Sequence, residues 1–193
     1  MRNKKLAAGI GGASAVTAVV AITAGTYALL SDEEERGAVA TAGTMDLQVG
    51  NLNSTEGSSF NENGALEVGP LHPGDSSSAS FTLTNEGSVA GNLSFRLEKD
   101  ADDENELTEP ERDAGDDSEG KNEGELFENL RITGLAAENE KLTEVVGEPR
   151  SAGTLGPGES RTFTVNLTVP QNATSVIQND SAGFQIVADL NQR

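Results

Sequence analysis

His72 is the only histidine in the chain, set between Leu71 and Pro73 in a predicted turn. One imidazole cannot build the HExxH pair of a metalloprotease or the His-rich ligand set of a catalytic zinc site. The absence of Cys excludes a thiol nucleophile, a Cys-based zinc or iron–sulfur site and a disulfide framework. Ser76-Ser77-Ser78 supplies hydroxyls, but no Gly-x-Ser-x-Gly elbow presents them and only His72 could activate one. No Gly-rich phosphate loop with Lys is present. Carboxylates are the abundant chemistry, with 32 Asp and Glu against 13 Lys and Arg. A glycosidase needs two of them at a fixed separation, which an acidic run does not specify. The default for such a run is solvation, and divalent cation binding is the functional alternative. Asp100, Asp102, Asp103 and Glu104 carry the hard oxygens that calcium prefers, although their spacing does not match an EF-hand loop and its sixth-position Gly is missing. No cofactor is expected, calcium at these acids being the possible exception. The sequence offers no active site, so no enzyme is expected. Its formal charge of −19 excludes duplex nucleic acid as a natural partner.

Those four acids open an abrupt change of character. Residues 98–125 hold 14 acids and three bases, and Leu107 is their only large apolar residue. Such a stretch contributes little core, so a solvated acidic loop insertion is expected. Around it the apolar period is two. Val39, Met45, Leu47 and Val49 share parity; Phe81 and Leu83 alternate with Thr; Leu93, Phe95 and Leu97 alternate with polar residues. Phe163, Val165, Leu167 and Val169 form a fourth set, and Phe184, Ile186, Ala188 and Leu190 a fifth. One buried and one wet face is what this alternation means. Turn signals at Pro73-Gly74-Asp75, Asn85-Glu86-Gly87 and Gly156-Pro157-Gly158 separate the runs. An all-β, antiparallel sandwich follows, with one short helical turn at Leu126–Leu130. Leu71-His72-Pro73-Gly74-Asp75 before Phe81 is echoed by Leu155-Gly156-Pro157-Gly158-Glu159 before Phe163. The echo predicts equivalent turns, each with its acid bonding a nearby backbone N–H.

The amino terminus carries a different signal. Arg2, Lys4 and Lys5 precede the uncharged run Leu6–Leu30, the layout of a secretory signal. Cleavage after Ala28, before Leu29, places Thr26 and Ala28 at the small −3 and −1 positions. The reading divides the chain into a signal (1–28), an amino-terminal arm or linker (29–37) and the sandwich (38–193). Removing the signal leaves 165 residues with a charge of −22. An uncleaved signal would be the only membrane contact, since the run is long enough to span. In either case the remainder is extracellular. A high acid load with only three lysines left fits a salt-rich medium, where screening removes self-repulsion. Asn-x-Ser/Thr sequons stand at Asn53, Asn92, Asn166, Asn172 and Asn179 and are glycosylation candidates.

Several segments taken in order resemble a known family. Gly25-Thr26-Tyr27-Ala28-Leu29-Leu30-Ser31-Asp32 is followed by Ala40-Thr41-Ala42-Gly43-Thr44-Met45-Asp46-Leu47, and then by Leu71-His72-Pro73-Gly74-Asp75 with Phe81-Thr82-Leu83-Thr84-Asn85-Glu86-Gly87. Gly183-Phe184-Gln185-Ile186 closes the set. This order resembles the TasA and camelysin group, secreted matrix proteins whose signal is cut by a dedicated, archaeal/ER-like signal peptidase. The acidic insertion and the charge depart from bacterial members and suggest an archaeal relative from brine. The resemblance implies a jelly-roll-like sandwich that polymerises into extracellular biofilm-matrix filaments, copy to copy, by donor-strand complementation. A segment containing Leu29, Leu30, Val39, Met45, Leu47 and Val49 would be the donor, adding to a neighbour's open sheet edge. Such a head-to-tail contact need not close, so a filament or pilus results. Two other readings remain open: a camelysin-like metallo-endopeptidase, and a monomeric surface glycoprotein or adhesin anchored by an uncleaved signal.

Overall fold

The computed structural model describes residues 46–192. Among them ten strands form two five-stranded sheets, and every strand ladder is antiparallel. The first sheet runs β1 (Leu47–Ser54), β4 (Ser76–Asn85), β9 (Ser160–Thr168), β6 (Arg131–Gly134) and β7 (Ala137–Lys141). The second runs β2 (Ser58–Phe60), β3 (Leu66–Val68), β10 (Ser181–Gln192), β5 (Gly91–Asp103) and β8 (Arg150–Leu155). The chain changes sheet at most of its connections, the jelly-roll-like crossing expected of it.

Period-two alternation builds this sandwich. Ala79, Phe81 and Leu83 of β4, Leu93, Phe95 and Leu97 of β5, and Val165 and Leu167 of β9 all point into one core. Phe184, Ile186, Ala188 and Leu190 of β10 join them from the middle of the second sheet. Each fully buried Leu, Ile, Val or Phe side chain contributes about 1.5–3 kcal/mol. Phe81 stacks on Phe163 at 5.8 Å, and Phe95 meets Phe163 edge-on at 4.8 Å, so three of the six Phe tie the sheets together.

The echoed turns are equivalent. The Asp75 carboxylate accepts the His72 N–H at 2.9 Å, and the Glu159 carboxylate accepts the Gly156 N–H at 2.8 Å. Gly74 and Gly158 take φ of 92° and 68°, which a side chain would strain. The two turns lead into β4 and β9, which pair with each other.

Residues 98–125 are more structured than their composition predicts. The first six complete β5, a helix α1 (Glu109–Ala114) follows, and the Glu104 N–H donates to the Gly120 carbonyl at 2.9 Å. The predicted helical turn is present as α2 (Leu126–Asn129), and further one-turn elements are α3 (Leu142–Val145) and a 3-10 turn at Ser175–Ile177. The Ser175 hydroxyl donates to the Pro110 carbonyl at 3.0 Å, fastening α1 to the 3-10 turn. With so little apolar surface in this stretch, something other than a hydrophobic core must hold it.

Candidate metal centre

Asp103 lies opposite Ser181 where β5 ends and β10 begins. That pairing brings Glu104, one residue past β5, beside Asp180, one residue ahead of β10. Glu111 arrives from α1, Asp116 from just beyond the left-handed Gly115 that caps α1, and Glu125 from the residue before α2. The five carboxylates form two triads sharing Glu104. Glu104, Glu111 and Asp180 each place an oxygen within 4.8 Å of the others, and so do Glu104, Asp116 and Glu125.

Burial is the unusual part. Asp180 and Glu111 are 0% exposed and Glu104 5%. Three of the five spend one oxygen on a donor and leave the other buried and unpaired. Asp180 Oδ2 accepts the Glu125 and Leu126 N–H groups at 2.7 and 3.0 Å, while Oδ1 has no partner. Asp116 Oδ1 accepts the Ser118 N–H and hydroxyl at 2.9 and 2.8 Å, while Oδ2 has none. Glu111 Oε2 accepts the Thr108 N–H, while Oε1 has none. Both oxygens of Glu104 and Oε2 of Glu125 are likewise buried and without a hydrogen bond. Among the described residues no Lys or Arg forms an ion pair with any of the five.

Crowded, desolvated carboxylates hold their protons. Burial, reinforced by the Glu104 carboxyl, pushes Asp180 up to about 8. Burial, then the charges of Asp116, Glu104 and Asp102, pushes Glu125 up to about 7. Chemically the cluster can share protons or take a cation with hard oxygen ligands. A zinc site of peptidase type needs imidazole donors and an open position. His72, the one His available, lies on an exposed turn with its Nδ1 3.2 Å from Asp75 Oδ2.

A family model described as camelysin metallo-endopeptidase matches residues 2–179. The chain belongs to the camelysin family. Among curated proteins no sequence matches it. The residues of this camelysin-family chain therefore fit a hard cation and do not fit a peptidase zinc.

Of the four acids suggested by sequence for calcium, only Glu104 reaches the cluster. Asp100 is exposed. Asp102 is buried, but its oxygens accept the Lys99 ammonium at 2.8 Å and the Phe127 N–H at 3.3 Å. Asp103 Oδ1 accepts the Asn122 N–H at 3.0 Å. Alternation turns Asp103 to the face opposite Asp102 and Glu104, Asp100 falls at the register shift of β5, and Asp102 is spent on Lys99 and Phe127. The partners of Glu104 come from other elements instead. Sequence reading missed Glu111, Asp116, Glu125 and Asp180. One signal for the last was present: Asp180 is the only charged residue from Thr162 to Ala188, immediately ahead of an apolar strand.

The other assigned positions are scattered. Leu47 is buried in β1 opposite Asn85, and Val49 is half-buried opposite Leu83, so both pair with β4 of the same chain. Ala28, Leu29, Leu30, Val39 and Met45, with the signal and the arm, lie outside the described residues. Asn53, Asn92 and Asn166 are exposed on strands and Asn172 is exposed in a turn, whereas Asn179 is half-buried with φ 66°.

Proposed function

We propose that this camelysin-family chain is a secreted structural subunit that assembles with copies of itself into extracellular filaments by β-strand addition. The observation that supports the reading is the asymmetry of the sandwich's two flanks. On one flank the terminal strands β7 and β8 are laced together: the Arg150 guanidinium grips Glu140 with both nitrogens, at 2.7 and 2.5 Å, and donates to the Ala136 carbonyl. Arg161 donates to the Ala152 and Thr154 carbonyls of β8 at 3.1 and 2.8 Å, occupying acceptors that an added strand would use. On the other flank β1 ends its sheet with half-buried Val49 and Leu52, and β2 ends the other with half-buried Phe60. An extended segment added there would gain main-chain hydrogen bonds and cover apolar surface. The arm that precedes Asp46 is the natural donor, because a head-to-tail contact through it leaves the next copy's arm free.

The peptidase reading draws on the family's description. A purified chain that cleaves casein in a chelator-sensitive manner would establish it and displace the structural one.

Deleting residues 29–45 leaves β1 whole, so the sandwich should fold while filaments disappear from electron micrographs of the extracellular fraction. Unchanged filament yield and shape in that variant would remove the strand-addition mechanism. Intact-mass analysis of the same fraction checks the export step, since an anchored surface protein keeps Met1–Ala28.

A further inference from the structure

We propose that Glu104, Glu111, Asp116, Glu125 and Asp180 form a calcium-binding site that fastens the acidic stretch to the start of β10. This goes beyond the assembly reading and stands whether or not the chain polymerises.

Two independent observations point to a ligand. The first is convergence: five carboxylates from five places in the chain meet in two triads that share Glu104. Convergence alone is common on acidic surfaces. The second is that six carboxylate oxygens in the cluster are buried without a hydrogen bond, three of the five side chains being more than nine-tenths buried. An unpartnered buried charge is among the costliest things a fold can carry, so such oxygens normally find a donor, a proton or a cation. Here the backbone turns donors toward one oxygen each of Asp180, Asp116 and Glu111 and none toward the other. Oriented carboxylates with one free oxygen apiece are how an outer shell of hydrogen bonds prepares metal ligands.

The chemistry selects the ion. All donors are carboxylate oxygens, which suit hard divalent cations and not zinc or copper. Each triad supplies three carboxylates, calcium completes its six to eight positions with second carboxylate oxygens and water, and it tolerates the irregular geometry of ligands drawn from a strand end, a helix and two loops. Magnesium demands a near-ideal octahedron at shorter distances, which carboxylates of such irregular origin serve poorly. The ion would also supply what residues 104–125 lack. Leu107 is their only large apolar residue, so cross-linking by charge takes the place of a local core.

The purified full-length chain, stripped with EDTA, is titrated with calcium chloride by calorimetry and followed by thermal unfolding. Binding is expected, with a rise in unfolding temperature of about 5–10 °C at a hundredfold excess over the dissociation constant. Calcium should also protect exposed Arg112 and Lys121 from trypsin, because both lie in the stretch the ion holds. Glu104→Gln should abolish the calcium response yet raise the unfolding temperature of the stripped chain, since it removes the carboxylate common to both triads. That opposite pair of effects separates a ligand from a residue needed merely for folding. Asp100→Asn, at an exposed position outside the cluster, should respond to calcium as the native chain does. No binding heat together with equal trypsin sensitivity in calcium and EDTA would overturn the site, leaving protons as the cluster's neutralising charge. A magnesium response equal to that of calcium would overturn the choice of ion.

Discussion

Glu159 shows how much one acid can do in a turn. Its carboxylate accepts the Gly156 N–H and then the Arg161 guanidinium, and these hold its carboxyl below the usual carboxylate range. The unfolded chain has neither contact. The stabilisation is therefore present above the unfolded carboxylate range and is lost as pH falls through the lower folded value. Because the group is solvent-exposed, the effect is small. Glu159→Gln keeps an acceptor for Gly156 and removes the charge, so its unfolding temperature should lie slightly below the native one at neutral pH. The two should converge in acid below both carboxyl values. A gap that persists unchanged there would assign the effect to shape and not to charge. This role was legible beforehand, because Pro-Gly-acid turn chemistry acts within five residues. The role of Asp180 was not, since its cluster partners Glu104 and Glu111 lie far away in sequence and reach it only through the β5–β10 pairing and the placement of α1.

Elements divide along the same line. The runs containing Leu47, Phe81, Phe95, Phe163 and Phe184 announce β1, β4, β5, β9 and β10 because long half-buried strands must alternate. β2 and β3 are three residues each, too short to show a period, and β7 reads Ala-Glu-Asn-Glu-Lys, the charged composition of a protected edge. The acidic stretch misleads for a different reason: composition measures apolar burial and is blind to order imposed by converging charge. Where the core does hold the elements, position decides the energy. Phe81 is fully buried and meets both Phe95 and Phe163, whereas Phe163 is half-buried. Phe81→Ala should cost about 3–5 kcal/mol, and Phe163→Ala clearly less, in urea unfolding. Equal losses would mean that the ring cluster acts as one unit and not through the area each ring buries.

Charge governs the molecule as a whole. Without residues 1–28 each copy carries −22, so two copies brought edge to edge repel strongly in dilute buffer. Screening shortens the reach of that repulsion to about 3 Å at 1 M salt, less than the spacing of neighbouring strands. Short-range gains at the β1 and β2 flank, main-chain hydrogen bonds and cover for Val49, Leu52 and Phe60, then act almost unopposed. Filaments should form in molar salt and come apart on dialysis into dilute buffer, as followed by light scattering and electron microscopy. Calcium provides a control, because filling the carboxylate cluster changes the charge of a copy by at most two per ion. It should raise the stability of each subunit without substituting for salt in assembly. Filaments that survive dilution, or that calcium alone restores at low ionic strength, would show that a specific contact and not screening sets the balance between copies.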